Sequence, residues 1–387
     1  RTKRDSESAT IVGINEERSR LCYRNENYEE RATHLPEGAL MADTPTIEVR
    51  IGQSLEKLRE LDDQSVHCVV TSPPYWCQRN YAEAGQLGLE QTPTLFVKAL
   101  VEIFTEVRRV LRDDGTCWLN LGDTYAGYWG DAKAVKENRP SAAESNGWTA
   151  GFVDLMNTRP KFHDAFDELS IKSKDVVGIP WMVAFALRDA GWYLRQEIIW
   201  AKPDPTPESV KDRCTRAHET IFLLTKKPRY YFDVDAIKEP SLWGDGSKGK
   251  NAPRGSFNTK GTPRRDGEGF RAISDTRRKR SVWTVATSRY RGAHFAMFPP
   301  DLIEPCILAG CPEGGIVLDP FAGSGTTGGV AAVYGRSSIL LELSETYAKD
   351  LIEDRIKWIL DRAKVPDDDR PTLSFVCNND TPEHQSA

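Results

Sequence analysis

The 387-residue chain is 39% hydrophobic and 28% charged, with a net charge of -5. That composition belongs to one large or two smaller globular domains and excludes a low-complexity, fibrous or membrane-embedded chain. No run approaches the roughly 18 consecutive apolar residues of a membrane helix, no stretch reads as a signal peptide, and the eight cysteines include no CxxC pair, which argues against a zinc ribbon or a disulfide framework.

Residues 1–40 are polar, with little periodicity, and read as a flexible appendage before the more natural start at Met41. "TIEVRIG" then reads as a strand, "SLEKLREL" as a helix started by Ser54, and "SVHCVVT" as a strand. In "TPTLFVKALVEIFTEVRRVLRDDG", Thr92 caps and Pro93 takes the first turn. Phe96, Leu100, Phe104, Val107 and Leu111 form one helical stripe, and Gly115 is expected to stop it. "TCWLNLGD" is the next strand. After a polar loop, "VVGIPWMVAFALRDAG" reads as a helix, and "WYLRQEIIWAK" and "ETIFLLTK" as strands. "PDLIEPCILAG", "GIVLD", "TTGGVAAVYG", "SSILLEL" and "SETYAKDLIEDRIKWILDRA" continue as helix, strand, helix, strand and helix.

This alternation predicts an α/β fold, a Rossmann-like, mostly parallel sheet with helices on both faces. Residues 202–292 interrupt it as an inserted module, and residues 366–387 read as a flexible tail. From Asp245 to Arg291 stand thirteen Lys or Arg and four Asp or Glu, a strongly basic block in an acidic protein. It is either a local polyanion contact or a solvated loop.

Two strand ends carry the chemistry. "TSPPYW", residues 71–76, leaves its strand through two prolines; neither donates to a ladder, so the segment is a stiff turn. At the carboxyl edge of an open α/β sheet, such a turn faces ligand. "VLDPFAGSGTTG", Val317 to Gly328, ends a strand in Asp319 and starts a helix after a glycine-rich turn, bringing backbone close to a ligand. A triphosphate-binding loop would need Lys after the last glycine, where Thr326 stands. Gly323 to Gly328 also fits the G-x-G-x-x-G of dinucleotide folds, and Glu342, at the end of the next strand, is placed to accept ribose hydroxyls of an adenosine in any of several cofactors.

The pair TSPPY and DPFAGSGTT, in that order, resembles the beta group of S-adenosylmethionine-dependent DNA amino-methyltransferases. The likeness extends through "RRVLRDDGTCWLNLGDTYAG", "GWYLRQEIIWAKPDPTPESVKDRCTRAHETIFLLTKKPRYYFDVDAI", "GAHFAMFPPDLIEPCILAG" and "GRSSILLELSETY", from about Ile47 to Ala363. It implies S-adenosyl-L-methionine as cofactor and double-stranded DNA as substrate, with residues 41–201 as the catalytic half, 202–292 as the target-recognition insertion and 293–365 as the cofactor-binding half.

By the same resemblance Ser72, Pro73, Pro74 and Tyr75 form the catalytic turn: the Ser72 hydroxyl and Pro73 carbonyl accept from the exocyclic amine, Tyr75 stacks on the base, and Trp76 extends the wall. Asp319, Phe321, Gly323, Ser324, Gly325, Thr326 and Thr71 surround the cofactor, with Glu342 on its ribose and His294 and Phe295 closing over its methionine end. Where many members carry Gly-Asp, this chain has Gly52-Gln53, so Gln53 would make a neutral contact to the adenine. The base must be flipped out of the duplex, and direct attack on the methyl-sulfonium requires no metal.

A C5-cytosine methyltransferase would need a Pro-Cys turn after the cofactor loop; Pro305-Cys306 precedes it, inside a predicted helix. A serine before Pro-Pro accompanies N4-cytosine methylation in these families, and Asp or Asn accompanies N6-adenine methylation, so N4-cytosine is the expectation and N6-adenine the alternative. An inactive DNA-binding module is the alternative of a different class. Arg277, Arg278, Lys279, Arg280, Arg289 and Arg291 are the expected DNA contacts, reading bases or holding phosphates. A restriction endonuclease is the expected partner if the mark serves defence. Such a protein works in the cytoplasm or nucleoid of a bacterium or phage host, or in the nucleus of a eukaryote.

Overall fold

The computed structural model describes residues 44–78, 83–126, 169–241, 276–287 and 298–376. β1 (Thr46–Ile51), α1 (Ser54–Arg59) and β2 (Val66–Thr71) open the fold. α2 (Pro93–Val110) runs straight into β3 (Leu111–Leu121). α3 (Ile179–Asp189) precedes β4 (Tyr193–Ala201) and β5 (His218–Thr225). β6 (Glu239–Pro240) and β7 (Thr276–Arg277) pair as a small ribbon, followed by β8 (Val282–Thr284). Then come α4 (Pro300–Gly310), β9 (Ile316–Asp319), α5 (Thr326–Val333) and β10 (Ser337–Glu342). A π-helical stretch, Ala348–Ile352, feeds α6 (Glu353–Arg362), and β11 (Thr372–Val376) ends the series.

Nine strands form one sheet in the order β11-β1-β10-β9-β2-β3-β5-β4-β8. Every neighbouring pair is parallel except the two made by β5, which runs antiparallel between β3 and β4. Parallel strands need covering on both faces, and the alternation of side chains along each strand divides the apolar residues accordingly. Cys68, Val70 and Val317 point into the core covered by α4, α5 and α6, while Val69 and Leu318 point into the one covered by α1, α2 and α3.

The α2 stripe is buried as predicted, and Thr92 caps the helix by accepting the Leu95 N–H at 3.2 Å. Gly115 does not end it. The helix stops at Val110 and the chain is already extended at Leu111, whose backbone pairs with Val66 of β2. The glycine serves close packing instead: a Cβ there would lie 2.5 Å from Leu111 Cδ1 and 2.8 Å from the His67 carbonyl.

Ser54 does not cap α1 either; its hydroxyl donates to the Pro320 carbonyl at 2.6 Å. The tail expected to be flexible contains β11, which pairs in parallel along β1 and lays Leu373 and Phe375 on the core. Within residues 202–292, β5 is an interior strand of the main sheet and β8 its edge, so that much of the span belongs to the sheet. Among the described residues no helix is long and apolar enough to cross a membrane.

Candidate active site

β2 and β9 lie side by side in parallel, with Cys68 opposite Val317 and Val69 opposite Leu318. Their carboxyl ends therefore place the Thr71–Tyr75 turn next to the Asp319–Gly325 turn, although 248 residues separate Thr71 from Asp319. Asp319 ties them together. Its Oδ1 accepts from the Thr71 hydroxyl at 2.6 Å and the Phe321 N–H at 3.1 Å, and its Oδ2 accepts from the Thr327 hydroxyl at 2.6 Å. The carboxylate is buried, and desolvation outweighs these donors, pushing its pKa up to about 6.

Glu342 ends β10, the strand beside β9. Its Oε2 accepts from the Gly323 N–H at 2.8 Å and its Oε1 from the Ser344 N–H at 2.9 Å. The residue keeps some surface, yet its carboxylate turns inward, and burial raises its pKa to about 7. Each carboxylate oxygen keeps a lone pair that can meet a ribose hydroxyl.

The turn between them is shaped by two glycines with different jobs. Gly323 (φ 54°) has nothing within 4 Å of where a Cβ would sit, so its backbone faces open space. Gly325 (φ 78°) is pressed against Ile352, 2.8 Å from a built Cβ. Ser324 and Thr326 are buried, their hydroxyls 3.3 Å apart, and Arg355 of α6 donates to Thr326 Oγ1 at 3.3 Å; both side chains face the helix layer. Phe321 packs half-buried on the core. Gln53 is exposed, and its side-chain amide lies 2.4 Å from where a Cβ of Gly85 would be, so the 83–90 segment lies against it.

On the other side of Asp319, the turn from Ser72 to Tyr75 opens onto a polar cluster. The Tyr75 hydroxyl donates to Glu219 Oε2 at 2.7 Å, and the Ser72 hydroxyl donates to the Tyr75 oxygen at 3.4 Å. Asn120 Nδ2 lies 2.9 Å from Tyr75 Oη, 3.1 Å from Glu219 Oε2 and 3.4 Å from Ser72 Oγ. Lys202 donates to the other Glu219 oxygen. Gly122 makes room for the Tyr75 ring, because a Cβ there would stand 2.4 Å from Cε2. Asn120 Oδ1 is buried and has no hydrogen-bond partner among the described residues.

Sequence reading missed Asn120, Glu219 and Lys202. They sit in segments singled out as similar to the family, but nothing local marks them as partners of a turn up to 144 residues away. Topology does: β5 runs antiparallel, so its first residues lie at the same edge as the last residues of β3 and β4.

Pro73 is buried and Pro74 partly so, while Trp76 is buried in the core, its indole N–H donating to the Glu90 carbonyl at 2.9 Å, and forms no part of an exposed wall. Cys306 is buried within α4, where desolvation pushes its thiol well above the ordinary range, so it is no nucleophile. Arg277 and Arg280 both pair with Glu239, at 2.8 and 2.6 Å, Lys279 lies 5.1 Å from the Trp283 ring centroid, and Arg278 is exposed. His294, Phe295, Arg289 and Arg291 lie outside the described residues.

A family model described as DNA methylase, of the N6/N4 type, matches residues 66–354. The chain is 39% identical over 323 residues to the type II methyltransferase M.SmaI of Serratia marcescens, covering 83% of this chain and 94% of that one. It is 42% identical over 306 residues to the type II methyltransferase M.Cfr9I of Citrobacter freundii, covering 79% and 86%. Among solved structures, the PvuII DNA methyltransferase, described as cytosine-N4-specific, superposes with a TM-score of 0.50 at 18% identity over 86% of this chain and 98% of that one. That likeness is one of fold.

Proposed function

Because this chain belongs to the N6/N4 DNA methylase family and is a DNA amino-methyltransferase, we propose that it methylates the exocyclic N4 amine of cytosine in duplex DNA. Its cofactor is S-adenosyl-L-methionine, which supplies an electrophilic methyl group on a sulfonium. The residues fit that group. Glu342 offers paired acceptors to a ribose, the open backbone at Gly323 admits a close approach, and Asp319 fixes the seam between the two turns. The open backbone at Gly323 is the contact that a side chain would forbid.

The observation that carries the base assignment is the serine at 72, the residue that accompanies N4-cytosine methylation in these families; its hydrogen-bond inventory bears on the chemistry shared by both bases. A hydroxyl has one proton and two lone pairs. The proton of Ser72 goes to Tyr75, and the two Asn120 amide protons have nearer acceptors in Tyr75 Oη and Glu219 Oε2 than in Ser72 Oγ at 3.4 Å, so Ser72 keeps lone-pair capacity for a substrate amine. An exocyclic amine is a poor nucleophile while its lone pair is delocalised into the ring. Accepting its hydrogens at Ser72 Oγ and at the Pro73 carbonyl, held by two fixed proline φ angles, favours the tetrahedral nitrogen that can attack. Tyr75 supplies a ring for the flipped base; such stacking returns about 1 to 3 kcal/mol, against an unstacking cost of a few. Most of the remaining acceleration is positional.

The same site accepts the amine of adenine, so product analysis decides between the bases. The protein is incubated with S-adenosylmethionine and unmethylated duplex DNA of mixed sequence, and the DNA is digested to nucleosides and analysed by mass spectrometry. N4-methylcytosine is expected. N6-methyladenine would overturn the base assignment, and the absence of both while cofactor binds would overturn catalysis in favour of a binding module. Ser72→Ala is expected to lower turnover by about 100-fold, in the range of a lost general acid–base or polarising group, with cofactor affinity unchanged. The relatives are type II methyltransferases, and by analogy the mark would protect a site from a companion endonuclease.

A further inference from the structure

A largely buried ion pair, its lysine also lying 4.3 Å from the Trp200 ring centroid, stands beside the Ser72–Tyr75 turn. Lys202 and Glu219 keep only 19% and 16% of their side-chain surfaces. Desolvating two charges costs about as much as their attraction returns, so such a pair is weak evidence of stability. What it does supply is direction. Glu219 is an acceptor only, its Oε1 occupied by Lys202; hence the Tyr75 proton must point to Oε2, 2.7 Å away. With that proton committed, the Tyr75 oxygen can only accept, and it receives the Ser72 proton and the Asn120 amide. Glu219 also fixes the Asn120 amide, whose Nδ2 lies 3.1 Å from it.

We propose that Glu219, anchored by Lys202, is a positioning residue for methyl transfer: it sets the direction of the Tyr75 and Ser72 hydroxyl protons, so that acceptors rather than donors face the substrate amine. The inference rests on the reading of Ser72 and Tyr75 given above. Its chemistry is specific. In Glu219→Gln the amide can donate to the Tyr75 oxygen, the tyrosine proton is free to turn back toward Ser72, and the serine proton then points at the amine, donor against donor. Shape is preserved while direction is reversed. No other described side chain donates or accepts at Glu219 Oε2 than Tyr75 and Asn120, and of these Tyr75 is the one that takes the Ser72 proton.

The test is single-turnover methylation by the full chain, with cofactor affinity, DNA affinity and melting temperature measured alongside. Glu219→Gln is expected to slow methyl transfer by about 10- to 100-fold, the worth of a hydrogen bond to a charged group, with both affinities and the melting temperature close to those of the parent. In a Tyr75→Phe background, where the link is absent, the same substitution is expected to cost no more than about threefold, a non-additivity that a merely structural role would not produce. A parent-like rate in Glu219→Gln, or an equal loss with and without the Tyr75 hydroxyl, overturns the proposal. Should Glu219→Gln not fold, Lys202→Gln loosens the anchor and keeps the carboxylate; it is expected to slow transfer only when Tyr75 is present, and an equal loss in both backgrounds would overturn the inference. Ser72→Ala separates the two levels: if it keeps the parent rate, the underlying reading of the turn fails, and if it is slow while Glu219→Gln is not, only the role of Glu219 fails.

Discussion

Asp319 and Glu342 are carboxylates in places where burial works against their charge, raising them to about 6 and about 7. A raised carboxylate contributes stability that is fully present below its ordinary range and lost as the pH climbs through the folded-state value. In the free protein that loss falls between ordinary carboxylate pH and about 7. A ligand that donates ribose hydroxyls and carries a positive sulfonium favours the ionised forms. Cofactor binding is therefore expected to expel protons and to tighten from about pH 5 to about pH 8. Calorimetry in two buffers of different ionisation enthalpy reads this directly: net proton release near about pH 6.5 is expected, most of it abolished in Glu342→Gln. Equal heats in the two buffers would refute the linkage. At this scale Asp319 and Glu342 were legible because each ends a strand, and Ser72 because it opens the Pro-Pro turn that follows one. Asn120 and Glu219 were not, since an isolated Asn or Glu in a strand is chemically mute until its neighbour in space is known.

In the strand–turn–helix from β9 to α5, two glycines on either side of Ser324 meet different surroundings. Gly325 adopts φ 78° against the β-branched, buried Ile352, so Gly325→Ala combines left-handed strain of about 1 kcal/mol with overpacking of about 1 to 3 kcal/mol. Gly323 (φ 54°) meets nothing, and Gly323→Ala is expected to cost only the strain, about 1 kcal/mol, while weakening cofactor binding tenfold or so by blocking the backbone approach, roughly 1.4 kcal/mol. Denaturation and titration of both variants check this; equal stability losses would show that the two glycines do not divide the work. Other elements show why local pattern falls short. Gly115 reads as a helix stop in sequence and serves as a packing contact in space. β11 has the composition of a tail and gains its order from an open edge of β1, a partner more than three hundred residues earlier in the chain.

For the whole molecule, the net charge of -5 opposes general attraction to DNA, so affinity relies on a local field. The basic run is less uniform than its letters. Arg277 and Arg280 share Glu239, although Arg280 is exposed; Arg278 is exposed too. Arg278→Ala is expected to reduce the slope of log affinity against log salt by about 0.9, one phosphate contact, and Arg277→Ala by less than half of that. Affinities measured from about 50 to 200 mM salt decide it, and a parent-like slope in Arg278→Ala would remove that residue from the DNA interface.

By itself the sequence determined the layered α/β plan and the position of the two turns, because hydrophobic period and turn residues are local properties and both motifs are contiguous; what the turns do chemically was implied by their resemblance to a family. The tertiary structure decided what stands around them. The parallel pairing of β2 with β9 joins the turns through Asp319, and the antiparallel strand β5 of the main sheet carries Glu219 to the Tyr75 hydroxyl. Pairing between distant strands is fixed by how the whole sheet buries its two faces, a property of the assembled chain that no short stretch encodes.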